Sequence, residues 1–132
     1  MEAEVSGKRL GTRPLINLRK IAMFGHLQLA DALKRLPTPE GQRFIELFKH
    51  GTLTVELYAP RGIDPQTPHA RDEVYVIASG RGTFRHEHFE DAQVGPGDVL
   101  FVAAGVEHRF IDFSDDFSTW VFFYGPEGGE KA

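Results

Sequence analysis

From Gly51 to Tyr124 the chain is a succession of short apolar runs rich in Val, Phe and Tyr, cut about every eight to twelve residues by Gly and Pro signals. Such a pattern leaves few solutions. Many short strands joined by tight turns close into a sandwich or a barrel. Thr52 to Ala59 alternates, with Leu53, Val55 and Leu57 on one face. Glu73 to Ala78 (EVYVIA) is a second strand, Thr83 to His86 begins another, and Val99 to Ala103 (VLFVA) and Thr119 to Tyr124 (TWVFFY) follow. Arg61-Gly62-Ile63-Asp64-Pro65, Gly80-Arg81-Gly82 and Gly95-Pro96-Gly97-Asp98 supply the turns. Eleven phenylalanines give a chain of this size enough large side chains to fill the interior.

Before Gly51 the texture differs. Leu27, Leu29, Ala30, Ala32, Leu33 and Leu36 recur at mostly helical spacing ahead of Pro37, so Leu27 to Leu36 reads as a short amphipathic helix. Thr38-Pro39-Glu40 resembles a second helix start. Arg43 to His50 (RFIELFKH) fits a helix by its Phe44, Ile45, Leu47, Phe48 pattern and a strand by its aromatic and branched content, and the sequence leaves that segment open. The division expected is an N-terminal arm and short helix over 1–50, a barrel over 51–126 and a tail over 127–132.

With 132 residues the chain has room for one domain and one core. A net charge of −4 argues against a nucleic-acid partner, which asks for a basic surface. Lys8, Arg9, Arg13, Arg19 and Lys20 form the one basic stretch, read as a solvated arm. No window offers the roughly 18 uninterrupted apolar residues of a membrane span, and MEAEVSGKRLGTR lacks the apolar centre of a signal peptide. A cytoplasmic location is therefore expected, with no membrane partner. The absence of cysteine excludes disulfides, thiolate catalysis and sulfur-ligated metals, so any metal must be bound through nitrogen and oxygen.

The strongest chemical constellation lies in DPQTPHARDEVYVIASG, residues 64–80. In an extended segment His69 and Glu73 point to one side, and Thr67, Arg71, Tyr75 and Ile77 share their parity. Pro65 and Pro68 keep the approach extended. His108 follows the sharp Ala103-Ala104-Gly105 break after VLFVA. Two imidazoles and a carboxylate can hold one face of a metal ion and leave positions open for water, substrate or dioxygen. Six histidines and nineteen acids offer many such triples by chance, however, so the triple alone is weak.

The glycine spacing adds to it. Gly62, Thr67, His69, Glu73 and Gly80 follow the intervals of G(X)5HXH(X)3–4E(X)6G, and Gly97, Ala103, Gly105, His108 and Asp112 follow those of G(X)5PXG(X)2H(X)3N. These are the two cupin motifs, and the chain resembles that family over Gly51 to Tyr124. The resemblance implies an all-β, antiparallel cupin barrel of jelly-roll type with short N-terminal helical decoration. It also implies one divalent metal ion, with Fe, Mn, Ni and Zn indistinguishable, on His69, Glu73 and His108. Thr67 stands where the first motif histidine belongs, Ala103 replaces the proline, and Asp112 replaces the asparagine in what looks like a structural position. Losing the first histidine removes one of four usual ligands.

Other residues carry less. His86 and His88 in RHEHFED form an H-x-H pair at an expected hairpin tip, with His86 as a possible replacement ligand if the register turns it inward. Thr67 and Tyr75 are the candidates for contacting a substrate. Arg71 shares their nominal parity but borders a loop, and His26 and His50 have no partner at ligand spacing. A metal-dependent enzyme of dioxygenase type on a small organic substrate heads the functional expectations. A non-catalytic small-molecule or metal binding module and a Lewis-acid isomerase are its alternatives. A homodimer is expected, with the barrel's exposed edge covered by the N-terminal segment of its own or a partner chain.

Overall fold

The computed structural model describes residues 24–132, so the basic stretch from Lys8 to Lys20 lies outside the described residues. A single helical turn, α1 (Leu29–Leu33), precedes eight antiparallel strands: β1 (Phe44–His50), β2 (Leu53–Tyr58), β3 (Asp72–Ser79), β4 (Gly82–His86), β5 (Phe89–Val94), β6 (Val99–Val102), β7 (His108–Ile111) and β8 (Ser118–Tyr124). They form a five-stranded sheet in the order β1-β2-β8-β3-β6 and a three-stranded sheet in the order β5-β4-β7. The segment left open between helix and strand is β1, paired with β2 from Phe44↔Tyr58 to His50↔Leu53 across a bulge between Glu46 and Phe48.

Two expectations for the N-terminal part are corrected. The helix is five residues long rather than reaching from Leu27 to Leu36, because Gln28 is extended and supplies no side-chain cap. Thr38-Pro39-Glu40 starts no helix. Thr38 closes a turn on itself instead: its N–H donates to the Gln42 carbonyl at 2.9 Å, and its hydroxyl accepts the Gln42 N–H at 3.0 Å.

The interior between the sheets is filled by Tyr75, Ile77, Phe84, Val94, Val102, Phe110, Phe117 and Val121. Gly80 closes the end of β3 at φ +73°, where a Cβ would lie 2.6 Å from the Phe117 backbone, so only glycine lets that turn meet that core residue. Alternation makes the other face of the large sheet apolar as well. Phe48, Val55, Phe122, Val74 and Phe101 stand in one cross-strand row, and Ile45, Leu57, Trp120, Val76 and Val99 in the next. At the β2 end this outer face is covered, with Val55 and Leu57 buried and Gly25 and Leu27 beside Phe48 and Trp120. At the β6 edge it is open: Val99 is 64% and Phe101 56% exposed. No helix among the described residues is long and apolar enough to cross a membrane.

Candidate metal centre

The site lies where the two sheets face each other. Glu73 is the second residue of β3, which is paired on both sides, by β8 and by β6, and its carboxylate therefore enters the interior from the middle of the large sheet. His69 stands three residues ahead of β3 in the loop, and His108 opens β7 in the opposite sheet. The loops are tied together by the Gly105 N–H, which donates to the His69 carbonyl at 2.8 Å from a turn that holds Gly105 at φ +81°. Asp112, at the motif's asparagine position, is the only non-glycine residue among those described with positive φ, 50°, a conformation that Asn and Asp tolerate better than other side chains. The sequence expectation of a structural role there agrees with its backbone.

One ligand atom from each of His69, Glu73 and His108 lies within 4.8 Å of the others. His108 Nε2 is 3.2 Å from Glu73 Oε1, and His69 Nε2 is 3.8 Å from Glu73 Oε2. His108 Nδ1 is 2.8 Å from the Val106 carbonyl, which can only accept, so Nδ1 carries a proton and Nε2 is turned inward, where the neutral ring offers its lone pair. That is the tautomer a metal ligand needs. Glu73 is 1% exposed, and its Oε1 is buried without a hydrogen-bond partner. A carboxylate oxygen in that state carries the full cost of desolvation unless a cation meets it. Two inward nitrogens and an orphaned oxygen thus fit a divalent ion.

The electrostatics agree. Burial pushes the His69 imidazole below its ordinary pKa, against the pull of Glu73, so it is neutral and ready to ligate near pH 7. Burial also works to lower His108, but Glu73 and the Val106 carbonyl outweigh it and leave that imidazole raised. Without metal, the place between His108 and Glu73 favours a proton. Either way it favours a positive charge.

Behind the triple sits a network that the motif spacing did not announce. Asp64, 1% exposed, accepts hydrogen bonds from the Tyr58 hydroxyl, from the Gln66 N–H at 3.2 Å, from Gln66 Nε2 at 2.6 Å and from the Phe110 N–H at 2.8 Å. Gln66 Oε1 in turn lies 3.1 Å from His69 Nε2 and accepts from the Tyr75 hydroxyl at 2.9 Å. The same hydroxyl is 2.9 Å from His108 Nε2, and its single proton serves either that nitrogen or Gln66, the protonated His108 ring donating to the phenol oxygen in the second case. Burial, then the charge of Glu73, hold the Tyr75 phenol well above its ordinary pKa, so it stays a protonated donor. In front of the network opens a cavity of about 710 Å³, which His69, Glu73, Tyr75 and Glu56 line, with Arg43 and Arg61 also on its wall.

His69, Glu73 and His108 come together. Tyr75 joins them from β3 and faces the cavity, as its shared parity with Glu73 requires. Thr67 lines the same cavity but is exposed, and the neighbouring side chain that reaches the donors is Gln66. The reason is local: β3 begins only at Asp72, so strand alternation does not run back to Thr67. Arg71 turns away from the centre, donating to the Thr52 carbonyl and, at 3.3 Å, to Thr54 Oγ1. His86 faces His108 across the β4–β7 ladder, yet its Nδ1 accepts the His88 N–H at the hairpin tip and it stays outside the donor triple. His26 and His50 are exposed. Glu56 was missed altogether. Burial, followed by the charges of Glu46 and Glu73, raises its carboxyl to about 7.

Residues 54–124, more than half of the chain, match the cupin domain family. The chain is a cupin. Uncharacterized protein SCO3923 of Streptomyces coelicolor is 38% identical to this cupin over 86 residues, which is 64% of this chain and 81% of that one. Among solved structures, a Cupin 2 conserved barrel domain protein from Salinispora arenicola superposes with a TM-score of 0.59 at 15% identity, over 77% of this chain and 89% of that one. The DMSP lyase DddQ from Ruegeria pomeroyi superposes with a TM-score of 0.55 at 24% identity, over 76% of this chain. The cupin described here spans 55% of that lyase's length. At these identities the structural likenesses establish the barrel.

Proposed function

We propose that this cupin holds one divalent metal ion on His69, Glu73 and His108 and uses it in the chemistry of a small organic acid bound in the adjoining cavity. The observation that carries this reading is the buried, partnerless Glu73 Oε1 facing two inward imidazole nitrogens beside an open cavity. Two neutral imidazoles and one carboxylate would leave a divalent ion with a net charge near +1, which favours an anionic oxygen ligand. Bound there, the ion would supply Lewis acidity toward that oxygen.

The chain's own groups suit proton transfer. Glu56, with its carboxyl near 7, lines the same cavity and can exchange a proton with substrate near neutral pH. Tyr75 offers a protonated hydroxyl, and Tyr58 and Asp64 keep the supporting loop in place. Arg43 and Arg61 are anchored by donating to the Ala59 carbonyl at 2.7 and 3.2 Å, which leaves further N–H groups free to meet an anion at the cavity wall. Proton abstraction and elimination or isomerisation are therefore favoured over redox chemistry. Oxygenase chemistry is the second reading, supported by the three-donor set itself, which leaves room on the ion for two further ligands.

The test is elemental analysis of protein prepared without added metal or affinity tag, followed by turnover assays on 2-oxo and hydroxy acids and their neutral amides. About one ion per chain, lost in His69→Ala and His108→Ala, and turnover of acids without oxygen uptake support the first reading. Oxygen uptake confined to the ferrous protein replaces it with the second. Full metal content in both variants refutes the site.

A homodimer and a cytoplasmic location remain part of the proposal. The dimer is supported by the open apolar end of the outer sheet face, where Val99 and Phe101 meet solvent on an edge strand.

A further inference from the structure

Resting on the metal reading above, we infer that Gln66 is a fourth protein ligand of the ion, through its side-chain oxygen Oε1, and takes the place left by the absent first motif histidine. An amide can present either oxygen or nitrogen, but here the choice is forced. Gln66 Nε2 lies 2.6 Å from Asp64 Oδ2, and a carboxylate there accepts only a donor. Rotating the amide by half a turn would set oxygen against oxygen at that distance. Asp64 is itself fixed by Tyr58, by the Gln66 N–H and by the Phe110 N–H on β7, so the amide oxygen is held toward the donor triple from both sheets.

The spacing fits a shared ion. Adjacent ligands at ~2.1 Å from one metal lie about 3.0 Å apart in an octahedron and about 3.4 Å apart in a tetrahedron. Gln66 Oε1 and His69 Nε2 are 3.1 Å apart, a contact that serves as an N–H···O hydrogen bond in the metal-free chain and matches the 3.2 Å between His108 Nε2 and Glu73 Oε1, so that ion binding requires the His69 proton to sit on Nδ1. Thr67, on the exposed side of the loop, offers nothing comparable. The resulting set of two imidazoles, a carboxylate and an amide oxygen is richer in oxygen than a three-histidine set, and oxygen donors suit manganese better than they suit softer ions.

Titration of the full chain with Mn²⁺, counting free ion by electron paramagnetic resonance, tests the assignment. The wild-type chain should bind one Mn²⁺, Gln66→Ala should bind at least about tenfold more weakly, and Gln66→Glu should bind at least as tightly as wild type. Gln66→Glu separates ligation from scaffolding, since it restores an oxygen donor while losing the hydrogen bond to Asp64. Should Gln66→Ala not fold, Gln66→Met keeps the length of the side chain without a hard donor and takes its place. Affinity of Gln66→Ala within twofold of wild type, or Gln66→Glu as weak as Gln66→Ala, overturns the inference while leaving the triple intact. A wild-type chain that binds neither Mn²⁺ nor Zn²⁺ overturns the metal reading itself.

Discussion

Replacing Glu73 with glutamine should stabilise the metal-free protein and destabilise it, relative to wild type, once metal is present. In the metal-free fold Glu73 is 1% exposed and its Oε1 has no hydrogen-bond partner. Leaving a buried acceptor unsatisfied costs about 1–3 kcal/mol, and more when it is charged. The amide introduced by Glu73→Gln would carry no charge, and its NH₂ would face the His108 Nε2 lone pair across the 3.2 Å now separating that nitrogen from Oε1. A gain of roughly 1–3 kcal/mol follows, which for a domain of this size raises Tm by about 3–5 °C per kcal/mol.

The pH dependence has a definite sign. The His108 imidazole is raised by Glu73, so the pair's contribution is present below the ordinary histidine value and is lost as pH rises through the folded value. The advantage of Glu73→Gln over wild type should therefore grow from about pH 6 to about pH 9. With metal at 100 times its dissociation constant, wild type gains about 2.7 kcal/mol and the variant, which lacks the anionic ligand, far less. Thermal melts in chelator and in excess Mn²⁺ read both halves of the prediction. A metal-free Glu73→Gln that melts below wild type at about pH 8–9 would refute the reasoning, because Glu73 would then be satisfied in a way its surroundings do not show.

Glu56→Gln should leave metal-free stability near wild type at about pH 4.5 and raise it as pH climbs to about 7, because a carboxyl lifted to about 7 costs stability only where the unfolded chain has already ionised. The full shift would be worth about 3 kcal/mol, and partial solvent access reduces the expected gain to about 1–2 kcal/mol, measurable by urea denaturation; a pH-independent difference would discount Glu56 as a buried acid. Val99→Lys combined with Phe101→Lys should shift light-scattering mass from dimer to monomer without changing metal content, and an unchanged mass in the variant would place any dimer contact elsewhere.

Much of the barrel was legible because its strands and turns write themselves locally. Gly80 and Gly105 occupy turns that need positive φ, and the Val, Phe and Tyr runs between such turns became β3, β6 and β8. The strands that escaped are the ones whose burial is one-sided or brief. β5 (FEDAQV) buries only Val94, so it carries no apolar alternation to read, and β7 is four residues long. β1 stayed ambiguous because Phe44 to Phe48 satisfies both periods, and only its pairing with β2 decides. The convergence of His69, Glu73 and His108 was readable from glycine spacing, whereas the approach of Gln66 to them was not, because it depends on Asp64 and on a loop that does not alternate. Glu56 hid for a related reason: in LTVELY a lone acid between apolar positions reads as the solvent side of a strand, and here that side lines the cavity.

That concealment bears on how the centre is built. Along β2, alternation sends Val55 and Leu57 to the outer sheet face and Glu56 inward, so the apolar side chains that the pattern advertises pack away from the chemistry. The inner face can then accept charged groups, because the energy of burial is gained on the other side of the same strand. Asp64 and Glu73 are each 1% exposed, and Glu56 stands beside them with its carboxyl raised. Asp64 is satisfied by four hydrogen bonds and Glu56 by its shift toward the neutral form. Glu73 Oε1 lies 3.2 Å from His108 Nε2 and has no hydrogen-bond partner while that ring is neutral. A cation at the proposed site would meet that remaining demand, and the Gly105 N–H bond to His69 and the Phe110 N–H bond to Asp64 keep the donors in position from both sheets. On the proposed metal reading, the fold gives up part of its stability to an arrangement that a bound positive charge completes.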